Sequence, residues 1–165
     1  MAFPGERVLC PTDLSPMGDR AVALAYRLAS PTGTVHLLHI NEPAIIPSPL
    51  DGTIVQVYYP ERKELAAIEA KVHTHLEKLA PTGGVAKGVR TEIHAVNDTS
   101  VVGCVLAAAK RLDADVIVMG TRGRSGFGKL ILGSVATAVM RDATIPVVLA
   151  HEPAPAKPKK SEKKK

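Results

Sequence analysis

The residues that could do chemistry in this 165-residue chain are concentrated between Met119 and Ser134. This stretch is rich in glycine, and it also carries basic and hydroxyl side chains. It follows the apolar run 116–118, which is typical of a buried strand, and it precedes a predicted helix over 134–141. Glycine lets a backbone approach a ligand closely, and the free N–H groups at a helix start point at an anion. The stretch therefore predicts a phosphate-binding loop.

One spacing pattern that this loop could follow, the Walker A sequence G-x-x-x-x-G-K-[ST], fails at an essential position. Gly123, Gly128 and Lys129 fit it, but Leu130 stands where a hydroxyl is needed to bind Mg²⁺. A second pattern, G-x2-G-x9-G-[ST], is complete. The residues at its fixed positions are Gly120, Gly123, Gly133 and Ser134.

The second pattern resembles the signature of the ATP-binding branch of the universal stress protein family. Other segments resemble the same family in the same order: 8–15 its first strand and turn, 37–40 its second strand, and 145–149 its last strand. The resemblance covers residues 5 to 150. It implies an α/β fold with a single doubly wound, five-stranded parallel sheet in the order 3-2-1-4-5, a Rossmann-like fold of the adenine nucleotide alpha-hydrolase-like kind.

The alternation of apolar runs with helical periodicity predicts a similar architecture from the residues themselves, because such alternation favours a parallel sheet covered on both faces. Ser15 is expected to cap the first helix, with Pro16 at its first position, and Asp98 or Thr99 to cap the third. The segment 41–60 is predicted to be an extended loop, either functional or a passive insertion. The predicted strands are 7–12, 34–40, 89–96, 116–119 and 146–150, and the longest predicted helix is 61–80.

Two signals converge on one crevice in this strand order. The winding reverses between the first and fourth strands, and ligands bind there at the carboxyl ends of the strands. The turn after the first strand contains Pro11, Thr12 and Asp13, and the fourth strand runs into the glycine loop. We therefore expect the two turns to form one binding site.

The chemistry of these residues and the family resemblance together imply an adenine nucleotide site. Pro11, Thr12 and Ile40 are expected to enclose the adenine, and Met119 to pack on it, although Ile40 and Met119 are equally explained as core residues. The predicted binding residues are Pro11, Thr12, Asp13, Ile40, Met119, Gly120, Arg122, Gly123, Arg124, Ser125, Gly126, Gly133, Ser134 and Val135.

The phosphates are expected at the start of the last helix. Gly133 and Ser134 would hold the β- and γ-phosphates through N–H groups and the hydroxyl. Asp13 would contact the ribose, or Mg²⁺ through a water molecule. The resemblance thus implies ATP, or AMP, with or without Mg²⁺, as the ligand.

The histidine spacings predict no metal site. His36 and His39 are three residues apart on a strand and point to opposite faces, whereas His73 and His75 are two apart on a helix. Asp13 is the only carboxylate that the sequence places near the predicted phosphates, so fast catalysis is not expected. Slow ATP hydrolysis stays an alternative.

The positive charge of the chain is concentrated at its end. Residues 151–165 contain six lysines and two glutamates, so the other 150 residues carry only +1 of the net +5. We expect a domain over 1–150 and a basic, disordered tail over 151–165 that could bind an acidic partner. Binding of nucleic acid by the domain is not expected.

The remaining features suit a cytoplasmic protein. No apolar run is long enough to span a membrane, and the first residues lack the pattern of a signal peptide. Cys10 and Cys104 have no paired spacing and are predicted to be reduced thiols. The apolar last strand, Val147–Leu149, is expected to pair with its twin in a homodimer, as it does in the family.

Three functions are compatible with these patterns. The first is a nucleotide-responsive regulator of stress adaptation that binds ATP and is not a metabolic enzyme. The second is a weak ATPase, in which Asp13 and Ser134 would be needed for turnover. The third is a scaffold that binds AMP, a cyclic nucleotide or no nucleotide, and that holds a partner through 41–60 or the lysine-rich tail.

Overall fold

The part of the chain that the computed structural model describes comprises residues 5–47, 54–58, 60–80, 88–121 and 132–151. Its helices and strands alternate along most of the chain. They are β1 (Gly5–Pro11), α1 (Pro16–Leu28), β2 (Ala29–Asn41), β3 (Ala44–Pro47), β4 (Ile54–Tyr58), α2 (Arg62–Leu79), β5 (Arg90–Asn97), α3 (Val101–Arg111), β6 (Val116–Gly120), α4 (Ser134–Asp142) and β7 (Val147–Ala150). The predictions for Tyr59 and for the tail beyond His151 lie outside the described residues.

Five parallel strands form the main sheet, in the order β5-β2-β1-β6-β7. The predicted order 3-2-1-4-5 is thereby confirmed, since β3 and β4 form a separate sheet. The central strand β1 is apolar and buried from Val8 to Pro11, and its Val8 pairs with Val35 of β2 and Val116 of β6. The winding therefore reverses between β1 and β6, as the resemblance implies.

Two apolar cores cover the two faces of the sheet, because successive side chains of a strand point to opposite faces. On one face, Val8 and Cys10 pack with buried residues of α1 and α2. On the other face, Leu9 packs with Val105 of α3 and Val139 of α4. This aliphatic packing on both sides fixes the strand ends that form the crevice.

The observed helix cap agrees with the predicted one at α1 and differs from it at α3. Ser15 caps α1 through its Oγ, which accepts a hydrogen bond from the Gly18 N–H, and Pro16 begins the helix. The prediction that Asp98 or Thr99 caps α3 is wrong. Ser100 is the cap, and Asp98 instead accepts a hydrogen bond from the Ser100 N–H in the turn before it.

Strand β2 begins at Ala29, earlier than the predicted start at Thr34. Its pairing with β1 shifts register between Gly5 and Arg7, so the first part of the strand follows an irregular path. Gly33 permits this path, because a Cβ there would lie 2.8 Å from the carbonyl oxygen of Glu6. A close backbone approach of this kind leaves no periodic signal in the sequence.

The segment 41–60, predicted to be an extended loop, contains a β-hairpin. Strand β3 pairs antiparallel with β4, with Ile45 opposite Val57. The β-branched residues of 54–58 favour a strand, but the prolines of the segment suggested that no regular structure would form. Within the described ranges, the segment therefore has regular structure, and it follows β2 directly in the chain.

The two cysteines are free, as predicted. Cys10 is fully buried in β1, and this burial raises the pKa of its thiol, which keeps it protonated and unreactive. Cys104 lies half-buried in α3. Among the described helices, none combines the length and the apolar character that are needed to cross a membrane.

Candidate nucleotide-binding crevice

The turn after β1 is held in place by its own side chains. Thr12 Oγ1 accepts a hydrogen bond from the Leu14 N–H, and Asp13 Oδ1 accepts one from the Ser15 N–H, each at 3.1 Å. Leu14 has a φ of 61°, a left-handed conformation that is unfavourable for a leucine. These local bonds stabilise that conformation and fix the position of the Asp13 carboxylate.

A buried histidine fixes the same turn from the neighbouring strand. His39 Nδ1 lies 2.8 Å from the carbonyl oxygen of Thr12, so this ring nitrogen carries the proton and donates it. The Thr12 N–H donates in turn to the carbonyl oxygen of Leu38 at 2.9 Å. The backbone of Thr12 is therefore bonded to β2 on both its N–H and its C=O.

Gly18, in the first turn of α1, leaves the space that the Thr12 side chain occupies. A Cβ at this position would overlap Thr12 Oγ1 and would lie 3.1 Å from Asp13 Oδ1. Both oxygens already accept hydrogen bonds within the turn, so neither can move away without losing its hydrogen bond. The glycine is thus required by the packing of the turn.

We expect Gly18→Ala to lower the free energy of unfolding by about 1–3 kcal/mol, a typical cost of overpacking, and to weaken nucleotide binding. Gly103→Ala is the matched control, because Gly103 follows its cap Ser100 at the same spacing in α3. A Cβ there would also crowd the cap, at 2.8 Å from Ser100 Oγ, but it would not touch the turn after β1, so ATP affinity should not change. Urea unfolding and ATP titration of both variants check this. Unchanged ATP affinity in Gly18→Ala would show that the turn does not shape the site.

Both ends of the glycine loop lie close together at the end of β6. The Gly133 N–H donates to the carbonyl oxygen of Thr121 at 2.8 Å, and the Thr121 N–H donates to that of Ala150 at 3.1 Å. Thr121 itself is buried. The start of α4 is therefore fastened to the carboxyl ends of β6 and β7.

Gly133 is the N-cap of α4, and its backbone conformation does not require glycine. Its φ of −61° and ψ of 150° are open to any residue. The usual capping residues place a side-chain oxygen over the first N–H groups of a helix, and glycine cannot. The N–H groups of the first turn of α4 have no acceptor within the helix, so they can bind an anion.

The turn after β1, the end of β6 and the start of α4 surround one cavity of about 400 Å³, a volume typical of small-molecule sites. Nine of the predicted residues line it: Pro11, Thr12, Asp13, Ile40, Met119, Gly120, Gly133, Ser134 and Val135. The other predicted residues, Arg122, Gly123, Arg124, Ser125 and Gly126, lie outside the described ranges.

Seven further residues line this cavity and were not predicted to do so. They are Gly18, His39, Glu42, Val101, Val105, Thr121 and Ala136. Val101 and Val105 lie one helical turn apart on α3, and the sequence identified them only as core residues. Glu42 adds a second carboxylate to that of Asp13 in the lining of the cavity.

A second cavity of about 460 Å³ adjoins the first, and the two share His39, Ile40 and Glu42. Asn41 lines the second cavity, and its Nδ2 atom is buried with no hydrogen-bond partner among the described residues. A buried donor without an acceptor is unfavourable. A ligand group that accepts a hydrogen bond in this cavity would satisfy it.

Comparison with protein families gives a match over most of the chain. The universal stress protein family matches residues 5–151. A universal stress protein of Mycolicibacterium smegmatis is 31% identical over 146 residues, which are 87% of this chain and 47% of that protein. The chain thus spans about half of that relative. Universal stress protein G of Salmonella typhimurium is 29% identical over 148 residues, covering 88% of this chain and 99% of that protein.

Solved structures share the fold at lower identity. Universal stress protein UspA from Lactobacillus plantarum has a TM-score of 0.62 at 20% identity and covers 92% of this chain and 99% of its own. A universal stress protein in complex with cAMP has a TM-score of 0.57 at 22% identity, and the match covers 92% of this chain and 98% of that one. A universal stress protein from Archaeoglobus fulgidus in complex with dAMP has a TM-score of 0.54 at 19% identity, and the match covers 90% of this chain and 98% of that one.

Proposed function

Since this chain belongs to the universal stress protein family, we propose that it binds ATP in the crevice between β1 and β6. We infer further that it is a cytoplasmic, nucleotide-responsive regulator of stress adaptation and not a metabolic enzyme. The observation that carries this proposal is that one cavity is lined both by the Asp13 turn and by the start of α4, whose N-cap Gly133 has no capping side chain. An apolar wall, a carboxylate and the N–H groups of a first helical turn match the three parts of an adenine nucleotide.

The adenine is assigned to the apolar part of the cavity. Ile40, Met119, Val101 and Val105 supply aliphatic surface there, and Pro11 begins the turn beside them. The cavity also offers backbone groups at the end of β2, where Ile40 was expected to contact the base. Burial of the ring between such side chains would supply most of the binding free energy.

The phosphates are assigned to the start of α4, where Gly133, Ser134 and Val135 line the cavity. The N–H groups of this helix turn and the helix dipole favour negative charge. This feature favours ATP over AMP, since AMP would leave much of the helix start without an anion. We also propose the loop residues 122–126 as contacts to the ribose and phosphates.

The structural neighbours support an adenine ligand. Two of them are described as complexes with cAMP and with dAMP, which share the adenine ring and one phosphate. At below 25% identity this likeness establishes the fold, so the assignment of a nucleotide to this chain depends on its own residues. Asp13 is proposed to bind the ribose hydroxyls, or Mg²⁺ through a water molecule.

The proposal is tested by identifying what the purified protein carries. Acid precipitation followed by chromatography of the supernatant should release ATP at close to one molecule per chain. Release of AMP or cAMP alone would instead support the third function, a scaffold that binds a smaller nucleotide. If ATP is released, incubation with excess ATP tests slow hydrolysis, which the weak-ATPase alternative requires to depend on Asp13.

The edge strand β7 supports the proposal of a homodimer. The Ile117 N–H donates to the Pro146 carbonyl and the Thr121 N–H to the Ala150 carbonyl. Because alternate residues of a parallel strand bond to opposite sides, the N–H and C=O groups of Val147 and Leu149 point away from β6. An apolar strand whose backbone groups point away from its own sheet is a surface for pairing with a second copy.

We expect Leu149→Pro to convert the dimer to a monomer while the sheet stays intact. Proline removes an outward N–H and cannot pair at an edge, but the bonds between β6 and β7 do not use that group. Sedimentation at micromolar concentration checks this. Val148→Pro is the contrasting variant, because it removes an inward N–H and should destabilise the fold itself. A monomeric wild-type chain would refute the dimer.

A further inference from the structure

Three side chains with metal-binding atoms meet on β2 and β5, away from the nucleotide crevice. They are those of His36, Glu92 and His94, and their donor atoms all lie within 4.8 Å of one another. His36 pairs with Glu92 in the register of the two strands. Glu92 and His94 are two residues apart on β5, so they point to the same face of the sheet.

The distances within this group fit a single small cation. His36 Nδ1 lies 3.2 Å from His94 Nε2 and 3.2 Å from Glu92 Oε2, and His94 Nε2 lies 3.9 Å from Glu92 Oε2. Ligands bound tetrahedrally at 2.0–2.1 Å from Zn²⁺ are about 3.3 Å apart. The two shorter distances agree with this value, and the Glu92 side chain, which is 53% exposed, is free to shorten the third.

The surroundings of this group contain charges of both signs. Burial lowers the pKa of His36 and of His94. The cations Arg111 and Arg7 also lower the pKa of His36, whereas the Glu92 carboxylate raises it. The carboxylate thus offsets part of the repulsion that a bound cation would experience from the arginines.

We propose that His36, Glu92 and His94 form a binding site for Zn²⁺, with a water molecule as the fourth ligand. Two imidazoles and one carboxylate are a typical protein ligand set for Zn²⁺. Mg²⁺ and Ca²⁺ prefer oxygen ligands, so the two imidazole nitrogens disfavour them. His36 is almost fully buried and His94 is 20% exposed, so an ion could enter from the Glu92 side. A bound ion would link the side chains of β5 and β2, in addition to the backbone pairing of these two strands.

The test uses the full chain, freed of any purification tag and stripped with a chelator. Titration with ZnCl₂ should show one Zn²⁺ per chain and a rise in Tm of several degrees, because a ligand that binds the folded state stabilises it. Replacing Zn²⁺ by Co²⁺ should give the visible absorption of a four-coordinate site. The variants His94→Gln and Glu92→Gln should each weaken binding by at least about tenfold.

His73→Gln is the matched control, since His73 is exposed on α2 and should leave Zn²⁺ binding unchanged. ATP affinity should be the same in all variants, which separates this proposal from the nucleotide proposal. Zn²⁺ binding that persists undiminished in both His94→Gln and Glu92→Gln would overturn the site. So would failure of the wild-type chain to bind Zn²⁺ at micromolar concentration.

Discussion

Replacing Gly133 with aspartate should reduce ATP affinity by a hundredfold or more while the fold becomes no less stable. Aspartate is a favoured N-cap residue, and it exceeds glycine at this position by only a few tenths of a kcal/mol. The observed φ of −61° at Gly133 suits aspartate without strain. The variant therefore separates the stability of α4 from the function proposed for its first turn.

The loss of affinity has two physical causes. The new carboxylate would accept hydrogen bonds from the N–H groups of α4 that are proposed to bind phosphate. It would also repel the phosphate charge, and two unit charges 4 Å apart interact by roughly 4 kcal/mol at an effective dielectric constant near 20. About two thirds of this energy equals the roughly 2.7 kcal/mol that corresponds to a hundredfold change in binding.

Calorimetric titration with ATP, together with urea unfolding, measures both effects. Gly133→Ala is the control, because a methyl group adds neither charge nor a hydrogen-bond acceptor and should weaken binding much less. If Gly133→Asp binds ATP as tightly as the wild-type chain, the phosphates do not lie at the start of α4. AMP affinity should fall less than ATP affinity, since AMP has fewer phosphates to repel.

Asp13→Asn should weaken ATP binding by about tenfold to a hundredfold, as a hydrogen bond to a charged group contributes roughly 1.5–3 kcal/mol. The amide oxygen can still accept the hydrogen bond that Asp13 Oδ1 accepts from the Ser15 N–H. The turn should therefore keep its conformation, and the change in affinity reports the lost charge. Urea unfolding should show little change in stability.

The same variant distinguishes the two roles proposed for Asp13. If the carboxylate binds the ribose, 2′-deoxy-ATP or 3′-deoxy-ATP should bind the wild-type chain more weakly, and Asp13→Asn should remove that difference. If it binds Mg²⁺ through water, the effect of the substitution should disappear in EDTA. Equal affinity of wild type and variant for ATP under both conditions would contradict both roles.

The strands of the main sheet could be predicted because their signals are local. Continuous apolar runs such as Val116–Val118 mark buried parallel strands, and Ser15 with Pro16 marks the start of α1. Local signals gave a wrong prediction where several residues of the same kind are adjacent. Three polar residues, Asp98, Thr99 and Ser100, could each cap α3, and only the backbone geometry selects Ser100.

Some residues that line the crevice were not predicted because their roles depend on contacts that are distant in the sequence. His39 donates a hydrogen bond to the carbonyl oxygen of Thr12, which is 27 residues away. The backbone of Thr121 is hydrogen-bonded to Ala150 and to Gly133, and neither bond corresponds to a recognisable sequence spacing. Gly18 could have been noticed, because glycine in a first helical turn is unfavourable unless packing requires it.

The His36, Glu92 and His94 group shows the same limit more clearly. Along β2 itself, the other histidine near His36 is His39, and the two are three residues apart. The neighbour of His36 across the sheet depends on the pairing of β2 with β5 and on its register. A strand register cannot be read from either strand alone, so the group appears only once the sheet is assembled.

The most direct test of ATP binding is a calorimetric titration of the nucleotide-stripped chain with ATP in the presence of Mg²⁺. We expect binding of one ATP per chain with a micromolar dissociation constant, about −8 kcal/mol, and its loss in Gly133→Asp. Absence of binding with ATP, AMP and cAMP would contradict it. The crevice would then be a shared feature of the fold that this chain does not use for adenine nucleotides.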